Sequence, residues 1–218
     1  MLRWVGQRLR SGTLTLVVVL AALGSAAAVS GANSGSRSPR TCGPQHASTL
    51  AASATARVYS VKGIAYGCST ANGRQFRLGK HSRCAVDPVA VAGGLATYGL
   101  ERCGKHSDNC ASQVLVRRLS DGKVLGTFPA FKGPAGTGVT PTSVDSLVLK
   151  ADGAVAWIAT GCSIDAPPHN LQVRRADKGG QALLDQGKAN AIDGRSLRLH
   201  GAKLTWRHSR ANRSASLG

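Results

Sequence analysis

Residues 114–128 read VLVRRLSDGKVLGTF, and residues 171–185, 57 positions further on, read LQVRRADKGGQALLD. Each stretch is an alternating apolar run, a turn that carries glycine, and a second apolar run. Alternation of period two on both sides of such a turn is the pattern of a β-hairpin. Successive strand side chains point to opposite faces, and the turn needs a residue that tolerates positive φ. Val-Arg-Arg stands at the same place in both stretches, at 116–118 and 173–175. The two hairpins therefore read as copies of one unit, with shorter relics at 73–79 (GRQFRLG) and 213–217 (RSASL).

A second unit lies between these copies. It is a strand, a glycine-bearing turn and a strand that closes on an aromatic: VYSVKGIAY (58–66), VAVAGGLATY (89–98), LVLKADGAVAW (147–157) and LRLHGAKLTW (197–206). Tyr66, Tyr98, Trp157 and Trp206 close the four copies and read as core. The order hairpin, loop, hairpin thus recurs about three and a half times. Fourteen strands are expected, at 57–61, 64–68, 74–78, 86–91, 95–100, 113–119, 123–128, 143–150, 154–160, 170–176, 181–185, 196–200, 203–207 and 213–217. Beyond the N-terminal leader no window sustains an i, i+3, i+4, i+7 apolar stripe, so helix is expected to be scarce.

A repeat of four short strands over roughly 40–55 residues is the sequence sign of propeller blades. The string V-x-V-R-R-x-x-x-G at 114–122 resembles the third strand and following turn of blades in the quinoprotein and WD40-like superfamilies, where a turn glycine precedes the fourth strand. The resemblance runs over residues 57–217 but lacks the Gly-His and Trp-Asp dipeptides of WD40 and the paired glycines of kelch. It therefore implies no single family. It implies an all-β, propeller-like array of about 3.5 to 4 blades. Either the terminal pieces 49–61 and 213–217 share a closing blade, or the ring is incomplete. The alternative is a disulfide-stapled β-sandwich, which short strands at regular spacing also suit.

The N-terminus reads as an export signal. Arg3, Arg8 and Arg10 precede an almost wholly apolar run at 14–23, and the small residues Ser25, Ala26, Ala27 and Ala28 follow. Cleavage after Ala28 is expected, giving a signal peptide at 1–28 and a flexible spacer at 29–41. An uncleaved anchor is the alternative, although the apolar stretch falls short of the roughly 20 residues a spanning helix needs. Residues 42–218 then form one all-β domain, outside the cell or at its surface. The composition, rich in Ala, Gly and Arg, fits a GC-rich bacterial genome.

Six cysteines, Cys42, Cys68, Cys84, Cys103, Cys110 and Cys162, all lie after the leader. An even number in an exported chain implies disulfides. Cys103–Cys110 is the favoured bridge, because the two flank a short polar stretch, and the other pairings stay open. No Cys-x-x-Cys pair or spaced histidine pair points to zinc, so no metal is expected.

Catalytic motifs are missing. Asp121, Asp152 and Asp193 precede glycine and serve turns. Asp87, Glu101, Asp108, Asp145, Asp165, Asp177 and Asp185 are scattered, so they mark no carboxylate pair. The six histidines (His46, His81, His106, His169, His200, His208) read as solvated side chains. Charge is the conspicuous property: without the three leader arginines the formal +18 falls to +15. Such an excess builds a positive surface field.

The expectation is a secreted or cell-surface binding protein, not an enzyme, that associates with anionic cell-wall or envelope polymers. Arg117, Arg118, Arg174 and Arg175 are the residues singled out, with one arginine of each pair on a common stripe. Two alternatives stay open. One is a scaffold that meets another extracellular protein through residues 67–74, 103–112 and 162–169. The other is a hydrolase whose groups come from distant loops. No cofactor and no specific nucleic acid is expected, and a membrane only through an uncleaved leader.

Overall fold

The computed structural model describes residues 42–80, 86–103, 110–133, 142–161 and 170–218. The leader and spacer, Cys84, Cys162 and the segments 104–109 and 162–169 lie outside the described residues. Among the described residues there is no helix, hence none long and apolar enough to cross a membrane. The described residues form fifteen strands in four antiparallel sheets. The first holds β1 (Ser48–Ala52), β2 (Ala56–Val61), β3 (Ile64–Ser69) and β4 (Gln75–Lys80). The second holds β5 (Val86–Ala92), β6 (Leu95–Cys103), β7 (Cys110–Arg118) and β8 (Val124–Pro129). The third holds β9 (Thr142–Leu149), β10 (Val155–Gly161), β11 (Asn170–Asp177) and β12 (Gly180–Lys188), and the fourth β13 (Arg198–His200), β14 (Lys203–His208) and β15 (Ala211–Ser216).

Every sheet is a meander in which strands pair in chain order. The sheets also run in phase. The turn after β1 meets the turn after β5 through Ser53 Oγ, which donates to Gly93 O at 2.7 Å. Asn72 Nδ2, after β3, donates to Ser120 O, after β7, at 2.8 Å. Lys150 Nζ, after β9, donates to Leu217 O, after β15, at 3.1 Å. First strands therefore point the same way, and the turns after first and third strands gather at one end of the molecule.

Apolar packing joins each sheet to the next one in sequence. Ala56, Val58, Ala65 and Leu78 of the first sheet meet Ala96, Tyr98 and Leu115 of the second. Val114 and Val116 meet Leu147, Val155 and Trp157 of the third. Ala156, Ile158 and Val173 meet Leu204, Trp206 and Leu217 at the fourth. Among the described residues no such cluster joins the first sheet to the fourth. β10 and β11, the second and third strands of the third sheet, are buried on both faces, whereas β8 leaves Val124 and Leu125 exposed.

The fourteen expected strands are present with shifted ends, and β1 is an addition. Its sequence, STLAA, has neither alternation nor β-branched apolar residues, so the pairing with β2 supplies what propensity does not. Three expectations are corrected. Residues 58–66 form the β2–β3 hairpin, whereas the other three copies are first-to-second strand hairpins, so the first copy is out of phase. The terminal pieces do not share a blade: 49–61 lies in the first sheet and 213–217 at the fourth. Four sheets also replace the two that a sandwich requires. The Val-Arg-Arg strings do fall on third strands, β7 and β11.

Cys42 and Cys68 are disulfide-bonded, with Cα atoms 5.6 Å apart. A disulfide is compatible with an oxidising compartment. Cys103 and Cys110 stand directly opposite each other on β6 and β7, and their thiols lie outside the described atoms.

Candidate cationic surface

Alternation along β7 and β11 turns the two arginines of each pair toward different neighbours. Arg117 shares its face with Leu115, which packs toward the first sheet, and Arg174 shares its face with Ala176, which packs toward the second. Arg118 and Arg175 face the following sheets. Arg174 is buried and Arg117 and Arg175 are half-buried between sheets, while Arg118 is exposed but paired with Asp121, so the four form no common outer stripe.

Their local bonds differ accordingly. Arg118 forks onto Asp121 of its own turn at 2.6 and 3.1 Å, and this pairing holds the Asp121 carboxyl down to about 2. Arg175 Nη1 donates to Asp177 Oδ2 and to Ser216 O, each at 2.8 Å, tying the third sheet to the fourth. Arg174 is only 7% exposed and reaches Gln172 Oε1 at 3.0 Å, while burial lowers its pKa from the ordinary guanidinium value. Arg117 lies against Tyr98, whose phenol burial raises, opposed by Arg117 and Arg102. The Nε atoms of Arg117, Arg174 and Arg175 are buried without a partner among the described residues.

Of the three segments read as partner loops, 67–74 belongs to the end of β3 and the turn after it. That turn lies at the same end as the turn after β7, because Asn72 bonds Ser120 there. The strands bounding 104–109 and 162–169 end at the opposite pole, so the three do not share one end. A cleft of about 250 Å³ opens near the turns after β9 and β11, lined by Val116, Leu125, Phe128, Asp152, Ala176 and Lys178. That is below the roughly 300–1,000 Å³ of small-molecule sites. Asp152 in it is engaged by Lys150 at 3.2 Å and by the Ala154 amide at 3.0 Å. Among the described residues no cluster of His, Cys, Asp and Glu has metal-ligand geometry.

One polar cluster is invisible in the sequence. Asp185 on β12 accepts from Trp206 Nε1 at 2.7 Å and lies 2.8 Å from His208 Nδ1, both on β14. His208 is thus half-buried and paired, unlike the exposed His46 and His200. Burial alone would raise the Asp185 carboxyl, but the hydrogen bonds from Trp206 and His208 and the charges of His208 and Arg213 outweigh it and hold it below its usual range. A depressed carboxyl contributes stability above its unfolded pKa of about 3.9, and that contribution is lost as pH falls through the folded value. Asp185→Ala is expected to cost about 1–3 kcal/mol at pH 7, the range for stranding a buried donor. Urea titrations at pH 7 and pH 3 check this: the gap between wild type and variant should shrink in acid.

The fourth sheet carries unpaired positive charge on its outer face, and among the described residues Lys62, Arg77 and Lys80 of the first sheet are also exposed without an ion pair. Leu199, Leu204, Trp206 and Ala215 face the third sheet, so alternation turns their neighbours outward. The outward rows are Arg198, Thr205 and Ser214; His200, Lys203 and Ser216; and Arg207 with Asn212. All are exposed except the half-buried Thr205, and no strand of this sheet carries an acidic residue. Among the described residues Arg198, Lys203 and Arg207 form no ion pair. Arg198 does donate to the Arg195 and Leu197 carbonyls, which fixes its position without neutralising it. No family model and no curated protein matches the chain. Sequence reasoning missed this surface because its cations are spread over two strands and no run of them marks it; Arg195 and Arg210 flank it, both exposed.

Proposed function

We propose that the chain is an exported binding protein, built as an open, propeller-like array of four blades and retained at the cell surface by anionic envelope polymers. In-phase meanders, each packed on the next, support the propeller-like reading. The missing cluster between the first and fourth sheets supports an open arc. Repeat arrays of this kind depend on nearest-neighbour packing and need polar or covered outer faces at both ends. The segment before β1 covers the first sheet, pinned by the Cys42–Cys68 bond, and the polar rows of β13–β15 finish the fourth.

The observation that carries the functional reading is the unpaired cationic outer face, together with the +15 charge outside the leader. Retention by such a field is screened by salt. Protein bound to isolated envelopes at about 50 mM salt is expected to elute before about 500 mM. Salt-indifferent retention on a single protein partner would instead favour the scaffold reading.

A further inference from the structure

We infer that the outward face of β13–β15 is the contact surface for a phosphate-linked polymer that bears free hydroxyls; this rests on the polyanion reading above and names its surface and ligand class. Lys203 and Arg207 are four residues apart on β14, and Arg198 stands beside Thr205, midway between them, on β13. At about 3.4 Å per residue, a chain laid along β14 meets a cation roughly every 7 Å. Thr205, Asn212, Ser214 and Ser216 fill the positions between and beside these charges with hydroxyl and amide groups. Such groups hydrogen-bond both phosphate oxygens and polyol hydroxyls.

The face also lacks what other anionic partners require. None of its outward residues is a phenylalanine, tyrosine or tryptophan, so bases of a single-stranded nucleic acid find no broad stacking platform. None is apolar, so nothing inserts among lipid chains. At the other end of the stack, Arg57 is engaged by Cys42 O at 2.8 Å, Ala47 O at 2.9 Å and Thr49 Oγ1 at 2.9 Å, one bond to each of its three nitrogens.

The test measures binding of the purified protein to poly(glycerol phosphate) at several salt concentrations. The variant R198Q/K203Q/R207Q is expected to bind at least tenfold more weakly. Its slope of log affinity against log salt should fall by about 2, at roughly 0.7 for each phosphate that is no longer neutralised. A control variant, K62Q/R77Q/K80Q on the first sheet, should stay within threefold of wild type. Single variants Lys203→Gln and Arg207→Gln each carry part of the loss, so a misfolded triple variant leaves the test intact. Equal loss in the two triple variants, or none in either while wild type still elutes with salt, overturns this surface and leaves the polyanion reading standing. Tighter binding to phosphatidylglycerol vesicles or to a single-stranded oligonucleotide overturns the ligand class. Failure of wild type to bind the polymer or isolated envelopes at low salt removes both.

Discussion

Trp157→Ala is expected to lower the unfolding free energy by about 3–5 kcal/mol, the range for truncating a buried tryptophan. Trp157 is fully buried on β10 and stacks on Phe128 of β8 with ring centroids 5.9 Å apart. Its indole N–H donates to Ala130 O at 2.7 Å, just past the end of β8. Two groups of effects therefore meet in one side chain. Removing the ring opens a cavity between the second and third sheets, and removing the N–H strands a carbonyl on Ala130, itself fully buried. The segment after β8 is held on the third sheet by a second clasp, in which Gln172 Nε2 donates to Lys132 O at 2.9 Å and Gln172 Oε1 accepts from the Lys132 amide at 3.1 Å. Trp157→Phe keeps much of the apolar volume and loses chiefly the hydrogen bond, so its expected cost is smaller, about 1–2 kcal/mol. Chemical denaturation of both variants checks the order. Equal losses in the two would mean that packing against Phe128 contributes nothing.

The features legible in the sequence are those that local patterning encodes. Strand positions follow from alternation and turn dipeptides, and Val-Arg-Arg marks third strands because the same core spacing recurs at the same place in the meander. Tyr98, Trp157 and Trp206 read as core and are buried; Tyr66 is half-buried and stacks on Tyr59 at 5.6 Å. Phase is not legible at 58–66, since a symmetrical strand-turn-strand pattern marks any hairpin without saying which one. Contacts distant in sequence are not legible either. Alternation correctly separates Arg117 from Arg118, yet it cannot say that both faces of an inner strand are covered by neighbouring sheets. Asp185, Trp206 and His208 come together only because the third sheet packs on the fourth, 21 and 23 residues along the chain. The cationic rows of β13–β15 have the same origin: no window shows them, and register alone brings Arg198, Lys203 and Arg207 to one face.

Replacing the disulfide by C42A/C68A is expected to cost about 3 kcal/mol, from the entropy a cross-link removes when it closes a loop of this length. The two cysteines are 26 residues apart in sequence. For a domain of this size that corresponds to a fall in Tm of about 8 °C. The bond does more than shorten the unfolded chain, because it fixes the residues that cover the first sheet. Gly43, at φ +80°, lies so close to Tyr59 that a side chain there would stand 2.6 Å from the ring. Tyr59 is 1% exposed under this cover, its hydroxyl donates to Gln75 Oε1 at 2.6 Å, and burial raises its phenol, reinforced by Tyr66 and opposed by Arg57. Arg57 holds the backbone of Cys42 and Ala47 by hydrogen bonds that survive removal of the sulfurs. In C42A/C68A the cover should thus loosen before the sheets part. Limited proteolysis is expected to cut near residues 42–47 at temperatures where β5–β15 remain folded, and thiol reduction of wild type should reproduce the pattern. A variant destabilised by about 3 kcal/mol while residues 42–47 stay protected would place the whole effect in the unfolded chain and none in the cover.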